Sequence, residues 1–78
     1  MAMVNVGDKM VGFWGAMFPY SYGRVSHVSG SHVVIEFDDV GMKNMEVPEI
    51  FWDAPESCGV GVYRAPADYP DEWFPVAV

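Results

Sequence analysis

The 78-residue chain contains no leucine, no threonine and no glutamine, and it has a single cysteine. Leucine and glutamine favour helices, and their absence beside thirteen valines excludes an all-α bundle or a coiled coil. One cysteine, Cys58, cannot form an internal disulfide, so we expect a reducing compartment.

Long apolar runs are also missing. No segment reaches the length of a membrane span, and residues 1–8 lack the basic and apolar regions of a signal peptide. These absences predict a soluble, cytoplasmic protein with no membrane partner. A core this small is only marginally stable alone, so a homo-oligomer is possible.

Basic residues are scarce: four lysines and arginines face eleven acidic residues, giving a formal net charge of -7. Binding to a nucleic-acid backbone requires clustered basic side chains, whereas Lys9, Arg24, Lys43 and Arg64 are scattered. We therefore predict no direct nucleic-acid binding. The charge favours a protein partner with a basic surface, or it only keeps the protein soluble through self-repulsion.

Residues 23–39 carry the clearest structural pattern, a β-hairpin around Ser29-Gly30-Ser31. On the return strand, alternation places one apolar set on a buried face: Val33, Ile35 and Phe37. On the outgoing strand Val25 and Val28 are three apart, which period two cannot place on one face. A β-bulge near Ser26 and His27 is predicted.

Shorter strands are predicted at residues 9–14, 42–47 and 59–64, with a 3₁₀ turn at residues 48–52. Three prolines then exclude a long helix or a central strand from residues 65–78. We expect a barrel domain over residues 1–64 and an extended, aromatic and acidic tail over residues 65–78. The tail's rings predict that it packs on the barrel or on a partner.

The pattern from residue 6 to residue 50 resembles the small SH3-like β-barrels, including the Tudor-type and KOW-type modules. The motifs that carry the resemblance are Gly7-Asp8-Lys9-Met10-Val11, Gly23-x-Val25-x-x-Val28 and Val33-x-Ile35-x-Phe37-x-Asp39-x-Gly41. The resemblance implies an all-β fold, a single partly open barrel of about five short strands closed by a 3₁₀ turn. The basic loop residues of a KOW nucleic-acid role are missing here.

The resemblance to Tudor-type modules also implies an aromatic cage, in which ring faces and a carboxylate hold a methylated ammonium. The loop and cage positions in this sequence are Trp14, Phe18, Tyr20, Tyr22 and Asp39. Phe37 is another matching position, but its alternation with Val33 and Ile35 predicts a place in the core. The alternative to a cage is that the loop rings cover the end of a small core.

Residues with catalytic or metal-binding chemistry are few. His27 and His32 flank the hairpin turn and could lie opposite each other, but a zinc site needs further ligands, and the alternative is two exposed turn histidines. Cys58 lies close to Glu56, and a neighbouring carboxylate raises a thiol pKa. No Gly-rich phosphate loop is present. We predict no catalytic residue, no metal and no cofactor, and therefore a protein that is not an enzyme.

The second half of the chain alternates carboxylates with large rings. Such residues supply interface anchors and an acidic rim that steers a basic partner. The predicted partner-binding residues are Glu49, Trp52, Asp53, Tyr69, Asp71, Glu72, Trp73 and Phe74. The alternative is that the rings fill the open end of the barrel while the acids face water.

Three functional hypotheses follow. The first is a non-enzymatic protein-binding module, similar to accessory proteins of phages and mobile elements that inhibit host nucleic-acid enzymes by occupying a basic cleft. The second is a structural subunit of a homo-oligomer or larger complex, assembled through the tail. The third is a Tudor-like reader of methylated lysine or arginine, which depends on Trp14.

Overall fold

The computed structural model describes residues 4–53, 57 and 59–76. Five antiparallel strands curl into a half-barrel in the order β4-β3-β2-β1-β5. The strands are β1 (Lys9–Phe13), β2 (Ser21–Ser29), β3 (His32–Phe37), β4 (Gly41–Glu46) and β5 (Gly61–Arg64). This architecture confirms the predicted all-β class and the small, partly open barrel of five short strands. Within the described ranges, no helix is long and apolar enough to cross a membrane.

The β2–β3 hairpin has the predicted turn and the predicted bulge. Gly30 adopts a positive φ of 62° at the turn, a conformation that glycine takes at little cost. The register shifts between Val25, which pairs with Ile35, and His27, which pairs with Val34. The extra residue at this bulge brings Val28 back to the face of Val25, so that Val25 is buried in the core and Val28 packs against it, partly buried.

The core lies on the concave face of the curled sheet. All five strands contribute to it, together with the segment that follows β4. Its buried members are Met10, Val25, Val33, Ile35, Phe37, Met45, Ile50 and Val62. The β-branched residues and methionines thus fill the half-barrel without the aromatic residues of the tail.

Two element boundaries differ from the sequence prediction. A 3₁₀ turn spans Val47–Glu49 and ends before Ile50, because Ile50 returns to extended backbone and is buried in the core. Strand β5 begins only at Gly61. Phe51 forms an isolated parallel bridge with Tyr63 of this strand. The segment predicted to continue the 3₁₀ turn is therefore extended and covers the outer edge of β5.

The C-terminal tail, described over residues 65–76, packs on the convex face of β1 and β2. It enters beside β1, where the Ala65 N–H donates to the Lys9 carbonyl at 3.0 Å. It leaves beside β2, where the Arg24 Nε–H donates to the Pro75 carbonyl at 2.5 Å. Two turns interrupt the extended tail: one in which the Tyr69 N–H donates to the Pro66 carbonyl at 3.1 Å, and a second 3₁₀ turn at Asp71–Trp73. Its polar anchors and rings fix it to its own barrel.

Candidate functional site

An open groove of about 440 Å³ lies between the β1–β2 loop and the β3–β4 hairpin. We call it the apolar groove, and its lining residues are Trp14, Phe18, Val40, Met42 and Lys43. Two are loop residues that follow β1, and three come from the turn into β4 and its first residues. The curl of the sheet therefore brings together segments that are more than twenty residues apart in the sequence.

Trp14 forms the fixed part of the apolar groove. Its Nε1–H donates to the buried Ser21 Oγ at 2.7 Å, and its ring meets the Phe37 ring edge-on with centroids 5.8 Å apart. The indole also lies over Gly12, where an added Cβ would come within 2.3 Å of the ring. Glycine at this position leaves the space that the indole occupies, so Trp14 is held on three sides.

The walls of the groove are exposed. Phe18 is 62% exposed and Met42 is 67% exposed. Phe18 is placed by a turn in which its N–H donates to the Gly15 carbonyl at 3.1 Å. Apolar side chains that are grouped and exposed mark interaction surfaces on small proteins. The groove is such a group, outside a core that is already filled.

Carboxylates lie beside the groove. Residues 32–49 contain five acidic residues and one lysine, Lys43. Asp38 and Asp39 lie in the β3–β4 turn directly before Val40, and Glu36 pairs in register with Met42. The field around the groove is therefore negative and attracts a basic partner.

Val40, Met42 and Lys43 were absent from the sequence-based site. A signal for them existed, because period two places Met42 and Met45 on opposite faces of β4. Only Met45 is buried, so the alternation already required that Met42 point away from the core. What the alternation could not indicate was the presence of Phe18 and Trp14 beside it.

The predicted cage residues are not brought together. Trp14 and Phe18 line the groove, but Tyr20 packs edge-on against Phe13 with centroids 5.3 Å apart. Tyr22 lies on the opposite face of the sheet, under the tail. Asp39 is exposed in the β3–β4 turn. Two of the five positions therefore share a site.

The chain's own cations already lie over its aromatic rings. The Lys43 Nζ is 5.6 Å from the centroid of Trp14, and Arg64 is 5.6 Å from that of Trp52. Lys9 and Arg24 both lie over Phe74, at 5.5 and 6.0 Å. All four lysines and arginines thus make cation–π contacts within the chain. The Trp14 face, where a cage would hold a methylated ammonium, carries Lys43.

Half of the predicted partner-binding residues converge on the convex face instead. We call the rings there the outer aromatic cluster: Tyr22, Tyr69, Trp73 and Phe74. Tyr22 lies 5.4 Å from Phe74, 5.5 Å from Trp73 and 6.4 Å from Tyr69, measured between centroids. Phe74 is only 6% exposed, whereas Trp73 remains 46% exposed. Most of this aromatic surface is therefore used within the chain.

Asp71 anchors the tail electrostatically. Its Oδ1 lies 3.0 Å from the Lys9 Nζ and 4.0 Å from the Arg24 Nη2. The hydrogen bond from Lys9 and the charge of Lys9 lower the pKa of Asp71, with a smaller contribution from Arg24. The tail carboxylate predicted to meet a basic partner meets the chain's own basic residues.

The remaining predicted residues do not join this cluster. Glu49 accepts a hydrogen bond from the Glu46 N–H at 2.7 Å and caps its own 3₁₀ turn, and Trp52 lies beside Arg64. Asp53 and Glu72 are exposed. The eight residues are thus distributed over separate parts of the surface.

The two histidines that flank the hairpin turn do not lie opposite each other. His27 pairs with Val34, and His32 pairs with Ser29, because the hairpin turn is centred between Ser29 and His32. In the part of the chain that the structure describes, no group of three or more His, Cys, Asp or Glu residues is placed to hold a metal. Cys58 and Glu56 lie outside the described residues.

These features define a small, partly open all-β barrel with an acidic apolar groove on one side and a docked tail on the other. Comparison with protein-family models, with curated proteins and with solved structures finds no match.

Proposed function

We propose that this chain is a non-enzymatic protein-binding module whose docking surface is the apolar groove. One observation carries the proposal: Phe18 and Met42 stay exposed beside the fixed Trp14, although the core of the barrel is complete without them. Exposing these side chains to water has a free-energy cost that a docked partner removes.

The partner should present apolar and basic side chains together. Aromatic and methionine side chains supply contact area, and Trp14 is an anchor that loses little entropy because it is already held. The carboxylates of residues 32–49 would steer a basic protein toward the groove and raise the rate of association. In the inhibitor form of the proposal, the partner is a nucleic-acid-handling protein whose basic cleft would also have to offer an apolar contact to the groove.

The two alternative functions have less support. Assembly through the tail would need the tail's rings for a neighbouring subunit, but Phe74 is buried against its own barrel. A reader of methylated residues would need an open Trp14 face, and Lys43 lies over it. The apolar groove is a surface whose large side chains are still available.

Selection from a random peptide library against the immobilised chain tests the proposal. We expect enriched peptides that combine lysine or arginine with apolar residues and bind less tightly as salt increases. The double variant Phe18→Ser, Met42→Ser should bind them about tenfold more weakly or worse, the size of effect typical of interface anchors. Val60→Ser is the matched control, since Val60 is 64% exposed but lies directly before β5 and not in the groove.

The proposal fails if no peptide is enriched over the double variant. It also fails if the enriched peptides bind the double variant and Val60→Ser equally well. Circular dichroism of each variant establishes that the fold is retained, as expected for substitutions of exposed side chains.

A further inference from the structure

We propose that the partner binds as an added β-strand on the free edge of β4, through an extended segment that alternates apolar and basic residues. This inference rests on the proposed function, because it specifies how the partner of the apolar groove is held. Addition of a strand to an open sheet edge uses backbone hydrogen bonds for affinity and side-chain pockets for specificity.

The two edges of the sheet differ. The outer edge of β5 is covered by Phe51, whose N–H donates to the Val62 carbonyl at 3.0 Å and whose carbonyl accepts from the Arg64 N–H at 3.1 Å. Strand β4 is the other edge, and among the described residues its only strand neighbour is β3. One side of β4 therefore remains available for pairing.

The register identifies the backbone groups on that side. The Val47 N–H donates to the Ser31 carbonyl at 2.7 Å, so residues of the same parity, Lys43 and Met45, direct their backbone groups toward β3. Met42, Asn44 and Glu46 direct theirs away from the sheet. The Glu46 N–H is satisfied by the Glu49 carboxylate at 2.7 Å. Met42 and Asn44 are left as the residues that can accept a new strand.

The ordinary protection of an edge strand is weak here. Natural edges are often blocked by a proline, a bulge or a charged side chain. Strand β4 contains no proline, and its pairing with β3 runs without a register shift. Its lysine is turned onto the Trp14 ring. The edge is open along Met42 and Asn44.

The side chains of the added strand follow from the faces of β4. Lys43 and Met42 line the groove from opposite faces of β4. A residue opposite Lys43 would lie on the core-side face, near Trp14, and should be apolar. Residues opposite Met42 and Asn44 would lie on the other face, which carries Glu36 beside Met42 and Glu46 at the end of the strand. Those residues should be basic.

Charge selects this occupant over a second copy of the chain. Pairing two β4 edges would bring together two copies of residues 32–49, each with five carboxylates and one lysine. Like charges across strands are destabilising, whereas a basic segment gains from the same carboxylates. The occupant is therefore a basic extended segment of another protein.

The sharpest test replaces the free N–H of Asn44. Asn44→Pro removes that donor while leaving the bonds between β3 and β4, and proline is tolerated where an edge N–H faces solvent. Asn44→Ala is the matched control, because it removes the side chain and keeps the N–H. The probe is a short synthetic peptide that alternates lysine with valine, compared with a peptide of the same composition in which lysines and valines form separate blocks.

We expect the alternating peptide to bind the wild type and Asn44→Ala equally, within about twofold, and Asn44→Pro about tenfold more weakly. The blocked peptide should bind more weakly than the alternating peptide. By NMR hydrogen exchange, the amides of Met42 and Asn44 should gain protection when the alternating peptide binds. A second measurement does not depend on the folding of Asn44→Pro. Two peptides are compared, one N-methylated at the odd-numbered residues and the other at the even-numbered residues. Only the peptide whose methylated nitrogens face β4 should lose binding.

Equal binding to Asn44→Pro and Asn44→Ala, with binding still lost in Phe18→Ser, Met42→Ser, would overturn strand addition while leaving the protein-binding function intact. If neither synthetic peptide bound and the library selection enriched no peptide, both strand addition and the protein-binding function would be wrong. A dimer of the free protein in sedimentation that disappears in Asn44→Pro would overturn the choice of partner, since a second copy would then occupy the edge.

Discussion

Two regions of this barrel have the same kinds of residues but differ in how far those residues are buried within the chain. The convex face carries the rings and carboxylates of the tail, and the apolar groove carries Trp14 and Phe18 within an acidic surround. On the convex face the rings have partners in the chain: Phe74 packs on Tyr22 beneath Lys9 and Arg24. In the groove, Phe18 and Met42 have little cover.

The difference shows that composition does not locate a binding surface. A ring contributes to recognition only if folding has left it exposed, because a ring buried in its own chain has no contact area to offer. The tail contains more aromatic and acidic residues than the groove, but most of their ring contacts and ion pairs hold the tail on the barrel. The shorter stretch of groove residues is the part that remains available.

The largest expected effect is a loss of stability when Phe74, on the convex face, is truncated. Phe74→Ala should lower the free energy of unfolding by about 3 kcal/mol, since it removes a ring that is buried between the tail and β2. Trp73→Ala should cost less, about 1 kcal/mol, because Trp73 is half exposed. Urea denaturation measures both. If Phe74→Ala were no more destabilising than Trp73→Ala, the tail would not be docked as described.

A second substitution should displace Trp14 in the groove and leave the docking of the tail unchanged. Gly12→Ala places a Cβ against the Trp14 indole and should displace it, at a cost of about 2 kcal/mol. Trp14 fluorescence and peptide affinity should change together, while Phe74 keeps its contacts. Gly30→Ala is the control, because it strains a turn with a positive φ but has open space around its new Cβ. Unchanged peptide affinity in Gly12→Ala would show that the position of Trp14 does not matter.

The smallest effect concerns the ion pair of the tail. Because folding lowers the pKa of Asp71, its contribution to stability is present above the pKa of the unfolded chain and is lost as pH falls through the folded value. We expect tail docking, followed by near-UV circular dichroism, to weaken below about pH 4. Asp71→Asn should weaken docking slightly at neutral pH and reduce this acid-dependent loss, with Glu72→Gln as the control. If Asp71→Asn lost tail docking in acid to the same extent as the wild type, carboxylates other than Asp71 would be responsible for that loss.

The local features of the fold could be predicted from the sequence. The spacing of Val25 and Val28 against the strict alternation of the return strand predicted the bulge, because a two-residue period leaves no other way to bury both valines. The end of the 3₁₀ turn could not be predicted in this way. It depends on the burial of Ile50 in the core and on the bridge from Phe51 to β5, and both contacts are remote in sequence.

The candidate site was only partly predictable for the same reason. Trp14 and Phe18 were identified as an aromatic loop, but their grouping with Tyr22 was not confirmed, since Tyr22 lies on the other face of the sheet. The resemblance to Tudor-type modules suggested a common site. The alternation of β2 and the curl of the sheet separate the rings instead.

By itself, the sequence determined the all-β class, the bulged hairpin and the negative charge, because strand preference, alternation and net charge are properties of local or summed composition. Only the tertiary structure decided that Phe74 is covered and Phe18 is not. Burial depends on which distant surfaces meet, and that is set by the curl of the five strands and by the path of the tail across β1 and β2.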